Sequence, residues 1–474
     1  MPLGDALKAI FGAGGSKAGG IIRVGDLNRA VTGPAVVKPT PAAQSTDPLA
    51  GVEITEEFQK VIDLVESGAP LIFVTGVAGT GKSTLIDVIR AKVRKRTVVL
   101  APTGVAALNA RGATIHSFFR FAPKPIDPDT IEEAKNRTLY EKMELLVLDE
   151  ISMVRADVMD GIDRSLRINR RRRGEPFGGV QVLMVGDLFQ LPPVVTREEE
   201  ALLFSRQYAS PWFFSAHSLE ELDLAPVVLT RVFRQADEEF VSLLNNVRLA
   251  AQKEETVGAI NTACVGRPVG AEPRLTLTCT NATAERVNRS RLEALAGQPR
   301  TYVGKVDGQV DIDKEKLPSP FELVVKEAAQ VMFTRNDEQR RWVNGSLGTV
   351  RKIEPEMIWV ELAAVPGTVH PVVPAVWEFL RYKYDYEKER VVTDVIGTYT
   401  QFPLMLAWAV TIHKSQGKTL DKIHVDFGRG TFAPGQAYVA LSRCRSIRDI
   451  SLARPLRPQD IVCDERIRRA FGSR

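Results

Sequence analysis

Apolar residues recur at helical spacing between Ile54 and Val65, where Phe58, Val61, Ile62 and Val65 share one face and Thr55 stands ready to cap the start. An unbroken apolar run follows, LIFVT (Leu71 to Thr75), then the glycine-rich GVAGTGKS (Gly76 to Ser83), then TLIDVIRAKV with helical periodicity again. TVVLA (Thr97 to Ala101), LLVLDE (Leu145 to Glu150) and VQVLMVGD (Val180 to Asp187) repeat the theme of short apolar runs ending in polar residues. Strands apolar on both faces and separated by helices predict a parallel sheet covered on each side. A second α/β unit is predicted to open at VVLTRVFRQ (Val227 to Gln235) and to contain the strands LTLTCTN (Leu275 to Asn281), IHVDF and ISLARPL. Its expected helices are ATAERVNRSRLEAL, PLMLAWAVTIHKSQGKTLD (Pro403 to Asp421, ending in a polar cluster) and GQAYVALSRCRS (Gly435 to Ser446).

Between about 300 and 400 the period changes. Short Val- and Tyr-rich runs alternate with Gly, Pro and Asn turns, Val343-Asn344-Gly345-Ser346 being a hairpin-grade example. A small all-β barrel inserted in the second unit is the expectation, with Trp342, Trp359 and Trp377 as barrel core or as a stacking surface. A polar, proline-containing excursion at 122–140 predicts a small insertion in the first unit. Residues 1–50, rich in Gly, Ala and Pro, read as a disordered or weakly structured extension. The expected organisation is therefore 51–221 for the first unit, 222–300 with 400–474 for the second, and 301–399 for the inserted region.

Composition narrows the class. The chain has 474 residues, 44% hydrophobic and 26% charged, within the ordinary range for a globular protein of several domains. No apolar run approaches a membrane span and no secretory pattern opens the chain, so an intracellular protein without membrane association is expected, in cytoplasm or nucleoid if bacterial; a monomer in solution is a separate expectation. Cys264, Cys279, Cys444 and Cys463 are scattered without zinc-ligand spacing and read as free thiols. A net charge of +5 is compatible with nucleic acid without singling it out.

GVAGTGKS, lying between a strand and a helix, carries the sharpest chemistry. Its glycines let the backbone curl so that successive N–H groups face phosphate oxygens, and the following helix adds its positive end. The expected nucleotide cradle is Gly76, Val77, Ala78, Gly79, Thr80, Gly81, Lys82, Ser83 and Thr84. Lys82 can reach the β- and γ-phosphates and the Ser83 hydroxyl can ligate Mg2+. LLVLDE supplies two carboxylates at a strand end: Asp149 for the metal, Glu150 to orient or deprotonate water. Strand ends in open α/β sheets gather ligands. They supply Pro102, Thr103 and Gly104, then Asp187 and Gln190, then Thr280 and Asn281. A polar and aromatic cluster, Thr114, His116, Ser117, Phe118 and Phe119, follows the second strand; the aromatics serve as core or as a stacking platform. Gln59 is a solvated helix residue or an adenine-edge contact. The run Arg170 to Arg173 is a solvated helix end or a phosphate-contacting patch.

The ordered set GVAGTGKS, APTGVAALNARGATIHSFF, LDEISM, PFGGVQVLMVGDLFQLPPV, VFRQ, VNGSLGTV, TIHKSQGKTLD and YVALSRCRS resembles the petite-integration-frequency (Pif) family of DNA helicases, the 5′-to-3′ branch of superfamily one, across about residues 52–455. With no elaborate domain after Ile461, the chain looks like a minimal, bacterial or phage type of member. The resemblance implies an α/β fold with two RecA-like P-loop domains, a small insertion in the first and an SH3-like β-barrel in the second. ATP and Mg2+ would lie between the domains, and single-stranded DNA, with tailed or forked duplex DNA as substrate, across their top. The element that splits the duplex would belong to the excursion at 122–140.

By the same resemblance Lys82, Glu150, Gln190, Arg234 and Arg443 form the catalytic set, Gln190 sensing the γ-phosphate and the two arginines completing the site from the second domain. Gln59, Gln416 and Gly417 join the nucleotide contacts, with Gln416 where nucleotide and DNA sites couple. Pro102, Thr103, Gly104, His116, Ser117, Thr280, Asn281, His413, Lys414 and Ser415 are the implied DNA contacts. The implied function is an ATP-dependent helicase of replication, recombination or repair, the preferred DNA structure (fork, R-loop, G-quadruplex) staying open. A single-strand translocase without productive unwinding shares every ATPase motif. A small-molecule phosphotransferase leaves His413, Arg443 and the barrel without a role.

Overall fold

The computed structural model describes residues 52–471 apart from 123, 196–206, 221, 236, 267–273, 309–316, 340 and 388; the extension expected over 1–50 lies outside these. Helix α1 (Glu56–Glu66) starts where the Thr55 hydroxyl accepts from Phe58 N and buries Phe58, Val61, Ile62 and Val65. Strands β1 (Leu71–Gly76), β2 (Thr97–Ala101), β3 (Ala113–Thr114), β4 (Leu145–Leu148), β5 (Gln181–Val185) and β6 (Leu224–Leu229) form one sheet in the order β3-β2-β4-β5-β1-β6, all parallel. Side chains alternate between its two covered faces. Phe73, Leu146 and Leu148 enter one apolar cluster, while Ile72, Val74 and Val147 enter the other. Helices α2 (Lys82–Lys92), α3 (Gly104–Asn109), α4 (Ile115–Phe119), α5 (Thr138–Lys142) and α6 (Ala156–Asn169) complete this unit.

β6 corrects the expected boundary at 221/222. The start of the run that was to open the second unit, Val227–Leu229, belongs to β6, which pairs in parallel with β1 over six residues as the edge strand of the first sheet. The second sheet begins after α7 (Glu238–Leu249) and α8 (Lys253–Cys264), with β7 (Leu275–Thr278) followed by α9 (Asn281–Glu293). The chain then leaves to build an antiparallel region. β8 (Arg300–Val303) pairs with β10 (Glu322–Val325), and β9 (Lys305–Gly308) with a long hairpin, β15 (Ala375–Asp385) and β16 (Arg390–Gln401). β11 (Gln330–Phe333), β12 (Leu347–Ile353), β13 (Ile358–Leu362), β14 (Val369–Val372) and β17 (Leu404–Leu406) make a five-stranded sheet around Phe333, Trp342, Val350 and Val360. The turn at 343–346 lies between β11 and β12. Trp342 and Trp377 are buried and Trp359 half-buried.

The expected helix over 403–421 is absent: the segment folds as β17, β18 (Ala409–Thr411) and a single turn of tight helix, His413–Ser415. β17 finishes the antiparallel sheet, so the inserted region reaches past 399. β18 pairs in parallel with β7, and with β19 (Ile423–Asp426) and β20 (Ile450–Leu452) gives the order β18-β7-β19-β20. α10 (Gln436–Leu441), every residue of it buried, and α11 (Glu465–Phe471) follow.

The first unit is completed by distant residues. Tyr382, near the tip of the β15–β16 hairpin, and Ile467 on α11 belong to its apolar cluster, and Trp212 Nε1 donates to Asp464 Oδ2 at 3.0 Å. The Tyr382 hydroxyl meets the Val99 backbone at 3.2 and 3.3 Å. Phe118 and Phe119 both pack with Tyr140, Phe119 buried and Phe118 half-buried, so the core reading holds for Phe119. Of the arginine run, Arg171 to Arg173 are exposed, but Arg170 turns inward and donates to the carbonyls of Tyr140, Met143 and Gly178. Among the described residues no helix is long and apolar enough to cross a membrane.

Candidate nucleotide site and strand-facing surface

β1 delivers the chain to a loop in which Gly79 (φ +91°) and Gly81 (φ +83°) hold left-handed backbone, and α2 begins at Lys82. At Gly79 space is lacking as well: a Cβ there would stand 2.6 Å from Arg234 Cβ. Lys82 Nζ donates to Gly76 O at 2.8 Å and to Val77 O at 3.1 Å, so the ammonium sits within the curl of the loop. Burial lowers its pKa, against the pull of Asp187 and Glu150. Thr80 is buried, its hydroxyl donating to Val77 O; Ser83 is exposed.

β4 ends at the carboxylate pair. Burial, then the neighbouring Glu150, push the Asp149 carboxyl up to about 7, and burial raises Glu150 too, against Lys82 and Arg443. Glu150 holds φ +48°, a left-handed conformation costing roughly 1 kcal/mol in a residue with a Cβ, and donates its N–H to Asp149 Oδ1. From the second unit, Gln416 Nε2 donates to Glu150 Oε2 at 3.2 Å and to Gln190 Oε1 at 3.1 Å. One amide thereby joins the residues expected to handle water and γ-phosphate.

Arg234 follows the edge strand β6 rather than arising in the second sheet, which corrects its expected origin. It lies against the phosphate loop, where Phe233 N donates to Gly79 O, and its Nη1 donates to Ser442 O at 3.2 Å. Arg443 does come from the second unit and is 1% exposed. Its guanidinium donates to Val439 O, Lys418 O and Ser442 Oγ, and burial, then Arg234 nearby, lower its pKa. Gln59 is exposed and its amide donates to Asp63, along its own helix. Gly417 is exposed and Thr84 half-buried.

The expected strand contacts separate into groups. Pro102, Thr103 and His116 line one cavity of about 260 Å³ with Lys124 and Arg155. Thr103 and Thr280 also cap α3 and α9, their hydroxyls accepting from Ala106 N and Thr283 N. Gly104 is half-buried; Ser117, Asn281 and Lys414 are exposed. His413 is half-buried, and burial lowers its pKa. Ser415 departs from expectation: it is 1% exposed and its hydroxyl donates to Ile412 O, so its side chain braces the turn.

Sequence reasoning missed Tyr438, Arg248, Lys124 and Arg155. Tyr438, on α10, accepts from Ala78 N at 2.8 Å and donates to Asp187 Oδ2 at 3.1 Å, and Arg248 pairs with the other Asp187 oxygen. A tyrosine in the apolar stretch YVAL was the available signal, since a buried phenol needs a polar partner.

A family model described as PIF1-like helicase matches residues 53–257. An ATP-dependent DNA helicase Pif1 of Bdellovibrio bacteriovorus is 32% identical over 89% of this chain and 92% of its own length. The chain belongs to the PIF1-like helicase family. The human PIF1 helicase is 33% identical over 90% of this chain, and the Emericella nidulans enzyme 34% over 82%. This PIF1-like chain spans 65% and 59% of their respective lengths. Among solved structures, Bacteroides Pif1 with ADP-AlF4 is 37% identical, covers 88% of this chain and 96% of its own, and superposes with a TM-score of 0.80. Bacteroides Pif1 bound to single-stranded DNA, at equal identity and coverage, gives 0.65. The two parallel sheets are thus RecA-like P-loop folds of the PIF1-like type.

Proposed function

We propose that this chain is an ATP-dependent DNA helicase that moves 5′-to-3′ on single-stranded DNA and unwinds tailed or forked duplexes inside the cell, acting as a monomer. The observation that carries the proposal is the Gln416 amide, which joins Glu150 and Gln190 across the two units and directly follows the His413–Ser415 turn. Closure of the cleft and assembly of the hydrolytic residues are then one event. ATP occupies the loop from Gly76 to Thr84. Glu150 takes the proton of the attacking water while Gln190 and Gln416 hold its geometry. Arg234 and Arg443 stabilise charge developing on the phosphoryl group, Arg443 once it exchanges its backbone carbonyls for phosphate oxygens.

Mg2+ fits the donor set. Ser83 and Asp149 offer hard oxygens, and Asp149, raised by burial and by Glu150, is a carboxylate that a divalent cation would hold ionised. Held by Ser83 and Asp149, the ion would supply charge neutralisation at the β- and γ-phosphates. Among the described residues no cluster of three or more His, Cys, Asp or Glu forms a metal cage, as suits an ion completed by phosphates and water. Pro102, Thr103, His116, Lys124 and Arg155, together with His413 and Lys414 of the second unit, track the strand backbone, so binding is sequence-tolerant and salt-sensitive. We read the five-stranded antiparallel sheet and its hairpin as an SH3-like barrel inserted in the second RecA-like domain, and 122–140 as the element meeting the duplex.

The test is strand separation with ATP and Mg2+ on duplexes carrying a 5′ or a 3′ tail, with Lys82→Ala as control. Separation of the 5′-tailed duplex alone, lost in the control, is expected. DNA-stimulated hydrolysis without separation on either tail would favour a translocase, and hydrolysis indifferent to DNA would overturn both.

A further inference from the structure

One peptide group of the phosphate loop is held at both ends. The Val77 carbonyl accepts from Lys82 Nζ at 3.1 Å and from Thr80 Oγ1 at 3.0 Å. The N–H of the same peptide, that of Ala78, donates to the Tyr438 hydroxyl at 2.8 Å. Lys82 and Thr80 belong to the loop itself, whereas Tyr438 belongs to α10 of the second unit. Its hydroxyl proton goes to Asp187 Oδ2 at 3.1 Å. Asp187 is fully buried and is fixed in turn by Arg248 on its other oxygen and by Phe189 N. Arg248 stacks on the Phe189 ring, 4.1 Å from its centroid.

α10 is packed closely into this arrangement. A Cβ at Gly435 would lie 2.4 Å from Gln190 O, so the start of the helix presses on the backbone of the γ-phosphate sensor. At its other end Gln235 Nε2 donates to Ser442 O and Cys444 O. A core tyrosine needs one partner for its hydroxyl, and Asp187 supplies it. The second bond, to a loop amide, is what a packing role leaves without a reason.

We propose that Tyr438 is a positioning residue of the nucleotide site: from the second unit it fixes the Val77–Ala78 peptide, so that docking of α10 sets the shape of the phosphate loop before ATP enters. When Lys82 leaves Val77 O for a phosphate, Tyr438 is the contact that keeps the peptide oriented. The inference rests on the ATPase reading above and assigns the ring no chemistry of its own.

Tyr438→Phe removes only the hydroxyl. Losing one hydrogen bond to a loop amide is expected to weaken ATP binding roughly fivefold to tenfold. The effect should fall on KM more than on kcat, alongside a modest drop in melting temperature, since buried Asp187 Oδ2 also loses the hydroxyl. In the nucleotide-free protein the Ala78 amide should exchange with deuterium faster in Tyr438→Phe. Adding Asp187→Asn to that background should change Ala78 exchange no further, because Asp187 reaches the amide through the hydroxyl. Unchanged Ala78 exchange and unchanged ATP affinity overturn the proposal. So does a lower melting temperature with KM unmoved, the signature of a packing role. A wild-type protein that neither binds nor hydrolyses ATP overturns the ATPase reading as well, and declares itself before any substitution is made.

Discussion

Replacing Gln416 by alanine removes the amide nitrogen that serves both Glu150 Oε2 and Gln190 Oε1. A hydrogen bond to a charged group contributes about 1.5–3 kcal/mol and one between neutral groups about 1 kcal/mol, and two bonds from one nitrogen do not simply add. Taking about 2 kcal/mol as the share felt in the transition state, kcat for ATP hydrolysis should fall roughly thirtyfold. The loop from Gly76 to Thr84 is untouched, so KM for ATP should stay near wild type. The assay is steady-state ATP hydrolysis with and without a single-stranded oligonucleotide, and the stimulation by DNA should shrink with kcat, because Gln416 follows the turn carrying His413 and Lys414. Gln416→Glu should be worse at neutral pH, since it replaces a donor by a second carboxylate beside Glu150. It should recover partly as the pH falls and one of the two carboxyls takes up a proton, since mutual repulsion raises both. A rise in KM with kcat intact would refute the reasoning, for the amide would then serve ground-state binding. Full DNA stimulation in Gln416→Ala would refute the coupling.

Arg170→Ala should lower stability by about 3 kcal/mol, because the carbonyls of Tyr140, Met143 and Gly178 lose a charged donor, and the melting temperature of the first unit by about 6–12 °C. Arg171→Ala should change neither stability nor single-strand affinity, as scanning calorimetry and a DNA titration would show. Asp460, 1% exposed, feels burial that would raise its carboxyl, but hydrogen bonds from Arg454 and Arg457 win and hold it at about 2. Its folded pKa being depressed, this contribution is present above an unfolded value near 3.8 and is lost as the pH falls from there through about 2. Asp460→Asn should therefore cost about 1–3 kcal/mol at pH 7, with the gap to wild type closing in melts below pH 3.

Most of the first sheet and the core of the candidate nucleotide site were legible in the chain. β1, β2, β4 and β5 are unbroken apolar runs with one polar or glycine-rich exit each, a pattern that a strand buried on both faces produces. The loop and its carboxylates are local in sequence and carry their chemistry in residue type. What escaped depended on partners far along the chain. The β6 run resembles any other strand, and only its register against β1 assigns it to the first sheet. The apolar stretch in 403–421 suits a buried helix as well as two short strands, and periodicity does not separate them. Arg170 sits in a charge run that composition alone consigns to solvent. Tyr438 meets Ala78 across 360 residues, beyond any local pattern.

Tyr382, Asp464 and Ile467 also bear on how this protein is made. The sheet they complete is threaded from residues 71–229, yet its apolar cluster takes in side chains synthesised some hundreds of residues later. A ribosome moving at roughly 5–20 residues per second leaves that surface uncovered for on the order of ten seconds or more. The nascent first unit, with its ATP loop already drawn, must wait for the hairpin and then for α11 before it is sealed. Ending translation near residue 455 would keep every helicase motif and still release a chain with a gap in its oldest core, one expected to engage chaperones where the longer chain does not.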